Sequence, residues 1–431
     1  MDPHFELLAA LARAAGFDEY LQGGVPAWNA AVDAHFAKLK HHPAVNRLRR
    51  ARAEGASYDA FPSLALHLTG EVGAPALLAP LEPWPPELDR RWKAVDLAAW
   101  LKEIASAARK ADFAALWEAQ SELRTGSAAA AAEARAAFDL PWFERWFGFP
   151  APELHVYGAL GAGPHNYGVR RGGGRPAIAA YLGVTQGEPG ITIEGAAELL
   201  PHEVGHSFVN PLMAEHRDVL QGPAERLHGA VRERMEARAY TTWETVLNES
   251  VLRAVVVRYL RDHGGETAAR MEVAAQMEAG FPWTPVLVDA FAAYDADRAR
   301  FPTFGDYAVE LAAVLSVIAE EESERAKSRP HVVSITPANG DLSVSPATAT
   351  IVVTFDRAMR DKSWSIVGGE QVPPGDNPGY DASLRVFTLH VRLDPGRSYA
   401  LSLNGGRFRG FQSAEGVPLE PVAVAFSTAP R

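Results

Sequence analysis

The sequence predicts an α+β main body, mostly helical with a small sheet, followed by an all-β sandwich. Three observations predict it. Apolar residues recur at helical spacing over 1–150 and again over about 196–327. Between these blocks, 153–194 breaks into short apolar runs bounded by Gly, Pro and Asn. Beyond Pro330 short apolar runs alternate with turn signals to the end of the chain.

Phe5, Leu8 and Ala9, then Leu11 and Ala15, make one apolar helical face. Further helices are expected at 26–40, 91–110, 111–123 and 128–138. The run SAAAAAEARAAF reads as a packing or surface helix, alanine being the best helix former. The tryptophans of EPWPPELDRRW and PWFERWFGF are assigned to the core. LHVYGAL, NYGVR, PAIAAYLGV and GITIE read as strands, and 224–262 as one long helix. The charged stretch EESERAKSRP closes the first domain. The expected division is 1–328 (helical 1–150, small sheet 153–194, active-site helices 196–262) and 330–431. In the second part VVSI, TATIVVTF, SWSIV, RVFTLHV, SYALSL and VAVAFS are strands, separated by the turns PANGD, PPGDNPG and DPGR. Turn signals this regular over about 100 residues indicate a small sandwich.

The 431 residues carry a net charge of −11. The last 101 residues balance exactly as many acids as bases, so the whole excess lies in 1–330. An acidic main body excludes a nucleic-acid partner held by clustered Lys and Arg, and argues equally against anionic lipid. There is no cysteine, which excludes disulfides, thiol catalysis and thiolate metal sites. No apolar run is long enough for a transmembrane segment. The opening MDPHFELLAALARAAGF has no basic region followed by an apolar stretch and a cleavage site. That fits a cytoplasmic chain or an exported one whose signal peptide has been removed.

His202-Glu203-Val204-Gly205-His206 is the H-E-x-x-H pattern. On a helix, histidines at i and i+4 share one face and can grip one cation. Glu203, one step round, can take a proton from the attacking water. The metal expected is Zn²⁺, one per chain, because it accepts imidazole nitrogen and carboxylate oxygen with one position left open. Pro201, directly before the motif, places the helix start near 198–201 or kinks the helix there. A third protein ligand is required. Leu212 stands where a third histidine of the extended motif would fall. Glu249, in WETVLNESVLRA, is the favoured candidate, with Glu244 next and His216 or Asp218 behind. The plain alternative for Glu249 is a surface glutamate paired with Arg253 at i+4. His228, Tyr240 and Tyr167 are the candidates for stabilising charge on a substrate oxygen.

HEVGHSFVNP with a downstream LNESVLRA resembles the gluzincin branch of zinc metallopeptidases. The resemblance implies that the Glu of an Asn-Glu pair, here Glu249, completes a set with His202 and His206, although 42 residues intervene after His206. An insertion such as 212–230 is then expected to loop out. The opening DPHFELLAALARAAGFDEY, with HHPAV, GASYDAF and HSFVNP, is similar to the uncharacterised bacterial domain family numbered 4932, over about 1–325. The C-terminal part is similar to bacterial Ig-like domains of the surface-layer type, through Pro337, Gly340, Val344, Ser345, Pro346, Val353, Phe355, Asp356 and Met359. Such modules imply export, to the periplasm, the cell envelope or the medium.

Together these readings give a zincin-like, zinc-dependent metallopeptidase acting on a peptide or protein substrate. Its Ig-like domain is expected to contact the cell envelope or the catalytic domain. The alternatives are a metal hydrolase of another class, or a cell-envelope binding or structural protein with an inactive metal site. An acid retained between the two histidines favours catalysis.

Overall fold

The computed structural model describes residues 1–430 except 86, 174, 175, 189 and 407. The chain forms two compact units. One comprises 1–217, 248–273 and 287–309; the other comprises 218–247, 274–286 and 310–431.

In the first unit, α1 (Pro3–Ala15) starts where Asp2 accepts from the backbone N–H of His4 and Phe5, and ends at Gly16 with φ 84°. That is a side-chain cap at one end and a left-handed glycine at the other. Its apolar face packs into a core holding Trp28, Trp92 and Trp100, all fully buried. The expected helices appear as Pro26–Phe36, Leu97–Lys110 and Phe113–Ala119, and as α2 (Ser121–Ala137). Trp142 and Trp146 are buried as expected, stacked on each other at 5.8 Å.

Three strands form the sheet that matters for the site: β1 (Glu153–Ala159), β2 (Asn166–Arg171) and β3 (Ala177–Gly183). Their order is β1-β3-β2, with β3 parallel to β1 and antiparallel to β2. The central β3 is buried from Ala177 to Leu182 and reads as a continuous apolar run rather than an alternating one. The strand expected at GITIE is only the short hairpin of Thr185–Gln186 with Ile191–Thr192. α2 packs on β1, and β2 lies against α3 (Ala196–Glu215).

Glu6 ties α1 to the turn after β1. Its two carboxyl oxygens accept from the backbone N–H of Leu160 and Gly161, each at 2.8 Å, in a fully buried setting. Glu6→Ala would strand both donors, so we expect a loss on the order of 2 kcal/mol or more. Urea unfolding of the two proteins measures it, and an unchanged midpoint would show that water replaces the carboxylate.

Two helical expectations change. The stretch expected to loop out over 212–230 does leave the first unit from residue 218 to 247, but as a helix rather than a loop: after α3 comes α4 (Arg217–Glu236), with Pro223 inside it. The single helix expected over 224–262 is broken at 237–242, where Ala239 adopts φ 65°. α5 (Trp243–Glu278) then restarts on Thr242, whose hydroxyl accepts from the Thr245 N–H at 3.2 Å. α5 is itself interrupted at Gly265, φ 78°. Apolar periodicity ran through the first break because the residues on either side are helical; the turn shows only in its dihedral angles and cap.

The second unit contains α4, most of α6 (Ala308–Lys327) and the β region. Arg234 of α4 and Glu322 of α6 form a buried ion pair at 3.0 Å. The β region has a four-stranded sheet and a three-stranded sheet packed around Val353, Phe355, Phe387, Tyr399 and Phe426. The first contains β4 (Val332–Thr336), β5 (Thr350–Phe355), β7 (Gly375–Tyr380) and β8 (Val386–Val391), in the order β7-β8-β5-β4. The second runs β6 (Ile366–Val367), β9 (Ser398–Leu403), β10 (Val422–Ser427). All six expected strands are present. PPGDNPG, read as a turn, contributes most of β7, with a register shift between Asp376 and Gly379 absorbing its irregular composition. Among the described residues no helix is long and apolar enough to cross a membrane.

Candidate metal centre

α3 begins at Ala196 after Gly195, so Pro201 sits in its second turn rather than at its start. The helix runs through the motif, and the i,i+4 spacing sets the His202 and His206 rings 4.9 Å apart, edge to face. α5 crosses α3 at a close approach: a Cβ on Gly205 would run into the Leu252 side chain. Glycine there lets α5 bring Glu249 to the histidines.

The His206 Nε2 lies 3.5 Å from Glu249 Oε1, and the His202 Nε2 lies 3.8 Å from Oε2. All three ligand atoms fall within 4.8 Å of one another, and this is the cluster of its kind found among the described residues. Tetrahedral zinc with bonds of about 2.0–2.2 Å needs ligand atoms roughly 3.3–3.6 Å apart; the Glu249–His206 distance already meets this, and the rest of the set, within 4.8 Å, would have to draw in around an ion. The protonation states also fit. Burial pushes His202 down to about 3, against the pull of Glu249, so the imidazole is neutral and its nitrogen free to bind. Burial alone would raise Glu249, but His202, His206 and Arg253 outweigh it and hold the carboxyl below its ordinary range. The Arg253 guanidinium stands 2.8 Å from Glu249 Oε2. The i+4 pairing considered as the plain alternative is therefore real, but Glu249 is buried and faces the histidines as well. The Arg253 pair and the approach to the histidines are thus compatible in one carboxylate.

Glu203, one step round the helix, lies near enough to feel His206 and Glu249 and also meets the β2 backbone at Gly168. It is buried, and burial pushes its carboxyl up to about 7, with His206 and the Gly168 N–H opposing. Gly168 is the contact point of strand and helix. A Cβ there would fall on the Glu203 carbonyl, with the Glu203 Cα 3.0 Å away. Gly168→Ala must therefore push β2 off α3. We expect lower thermal stability by on the order of 1–3 kcal/mol, and displacement of the Glu203 carboxylate. Differential scanning calorimetry checks the first, and an unshifted transition would mean that the helix yields at no cost.

The other candidates lie elsewhere. Tyr167 alternates with Gly168 on β2 and turns to the opposite face, into the N-terminal core 6.4 Å from the Phe5 ring. Tyr240 packs 5.7 Å from Phe281 in the second unit, where His228 is buried within α4. His216 sits beside Gly305, and neither it nor Glu244 nor Asp218 belongs to the cluster. Sequence reading missed Gly168, Arg170 and Asn210. Gly168 did leave a signal, since a glycine inside a strand marks a close approach of backbone. Asn210, one turn after His206, places its Oδ1 3.4 Å from the His206 Nδ1. Arg170 donates from Nη1 to the Ser207 carbonyl at 2.7 Å.

Against known families, a model described as Domain of unknown function (DUF4932) matches residues 177–314, and one described as Bacterial Ig-like domain matches residues 326–428. The chain thus carries both domains, and the first match is narrower than the 1–325 expected from sequence. No curated protein matches the chain. Among solved structures, the surface layer protein SbsC, domains 1-6, is similar at 14% identity and a TM-score of 0.18. The S-layer protein rSbsC(31-844) is similar at 16% identity and a TM-score of 0.18. In both cases 57% of this chain is covered, and the chain spans 35% of the other's length. Likeness at that TM-score carries no argument about fold or function.

Proposed function

We propose that the first unit is a zincin-like, zinc-dependent peptidase with His202, His206 and Glu249 as metal ligands and Glu203 as general base. One observation carries the reading: three ligand atoms of the right chemistry converge from two helices, with a buried carboxyl beside them. Zinc bound there would polarise a substrate carbonyl and ease deprotonation of a water. Glu203 takes the proton from the attacking water and returns it to the leaving amine nitrogen. The nearby Gly168 N–H favours the ionised form of the Glu203 carboxyl. β2 is an edge strand, and alternate backbone groups of an antiparallel edge turn outward. A peptide laid along it gains main-chain hydrogen bonds.

The Ig-like domain supports an exported protein acting at or beyond the cell envelope, with that domain as the contact to the envelope or to the catalytic unit. The competing reading, a binding protein with an inert metal site, gives Glu203 no task, since metal binding alone does not need it. The deciding experiment is cleavage of an unbiased peptide library by the zinc-loaded protein, set against Glu203→Gln. Absence of cleavage by the wild type would leave the binding-protein reading standing.

A further inference from the structure

We propose that the cavity beside His206 is a subsite for the free α-carboxylate of a peptide, gripped by Arg170, which makes the enzyme a carboxypeptidase. The inference rests on the peptidase reading of the centre and names its substrate class.

The cavity holds about 300 Å³ and is lined by Gly168 and Arg170 of β2, by His206, Asn210 and Pro211 of α3, and by Glu87. It therefore joins a metal ligand to a cationic side chain. Arg170 is only partly engaged. Its guanidinium makes one hydrogen bond among the described residues, to the Ser207 carbonyl, and its Nε is buried without a hydrogen-bond partner. The nearest anion, the Glu87 carboxylate, stands 4.0 Å from that Nε. Arginine presents a planar fork that suits a carboxylate bound in two-pronged fashion at about 2.7–2.9 Å. Glu87 does not make that contact, so an arriving carboxylate has a better geometry available than the resident one.

Spacing sets which carboxylate fits. β2 runs along α3 with Gly168 over Glu203 and Arg170 over Ser207. Two residues of strand span about 7 Å. A peptide whose scissile carbonyl lies by Glu203 carries its terminal carboxylate one residue, about 3.5 Å, further along. The reach of a carboxylate–guanidinium pair, about 3 Å, covers most of the rest. Pro211 and Ala214 complete the lining, and the volume lies at the bottom of the usual range for ligand pockets, about 300–1,000 Å³. A volume this small suits one residue after the cleaved bond, its carboxylate on Arg170. The step itself is ordinary hydrolysis: the C–N bond breaks, water supplies OH to the new carboxyl, and its proton passes through Glu203 to the released amino acid.

The test uses the zinc-loaded full chain carrying Glu203→Gln, which binds without turnover. N-acetyl-trialanine and its C-terminal amide are titrated by calorimetry, with zinc content and melting temperature recorded for each variant. The acid is expected to bind at least about tenfold more tightly than the amide. Adding Arg170→Gln should erase that preference, and Arg170→Lys should restore part of it. Equal binding of acid and amide, binding of neither, or an acid preference that survives Arg170→Gln overturns the proposal; the last result would mean that the carboxylate sits on the metal itself. The two readings fail separately. Cleavage of internal bonds in amidated peptides with no acid preference would remove the subsite and keep the peptidase. An Arg170-dependent acid preference without hydrolysis by the wild type would do the reverse.

Discussion

Replacing Glu203 with glutamine is expected to leave one zinc per chain in place and to lower peptide hydrolysis by on the order of 10²-fold or more. Glutamine nearly matches glutamate in shape, so the packing against β2 should survive. Its amide cannot accept a proton near neutral pH, so the transfer from water to the leaving nitrogen loses its carrier. Glu203 is not among the converging ligand atoms, which is why metal content should be insensitive to the change. The buried carboxyl is costly to keep: burial shifts it up to about 7, well away from its ordinary value. A carboxyl shifted in that direction beside the His202, His206 and Glu249 cluster is what the proposed proton transfer calls for. Elemental analysis and initial rates on one peptide preparation give both readouts. Equal rates for the two proteins would take Glu203 out of the mechanism, and zinc loss in the variant would make it a ligand instead.

Glu249→Ala and His202→Ala are each expected to reduce bound zinc from about one per chain to a small fraction. Loss of a residue that merely orients a ligand costs about 10–100-fold in metal affinity, so loss of the ligand itself should cost at least as much. Glu249 is the more informative of the two, because it arrives from a different helix. Its removal also takes away the carboxylate 2.8 Å from the Arg253 guanidinium, leaving less negative charge to offset Arg253 where the cation should bind. Both effects act in the same direction. Glu244→Ala serves as the control and should keep its zinc, since Glu244 lies outside the cluster. Zinc retained in Glu249→Ala and lost in Glu244→Ala would transfer the third position to Glu244. Competition against a chromogenic chelator measures the affinities, and wild-type values in Glu249→Ala would remove Glu249 from the ligand set.

The sequence by itself determined whatever depends on residues a few positions apart. Helical spacing placed α1 and α2, and an i,i+4 pair set His202 and His206 on one face before any fold was considered. Alternation with turn residues located six strands beyond Pro330, and the absence of cysteine removed thiolate chemistry outright. These features follow from the 3.6- and 2-residue repeats of the backbone, which neighbouring side chains express directly. The tertiary structure alone decided which distant segments meet. Glu249 could be offered as third ligand from its Asn-Glu pair, but its approach across 42 residues depends on a second helix, a break at 237–242 and a glycine at 205 thin enough for Leu252. Tyr167 looked available until strand alternation turned it into the core and turned Gly168 and Arg170 towards α3. β7 emerged from a stretch rich in Pro and Gly because its partner β8 supplied the hydrogen bonds that its own sequence does not favour. Pairing energies between remote segments are earned only once both are folded, so no local pattern announces them.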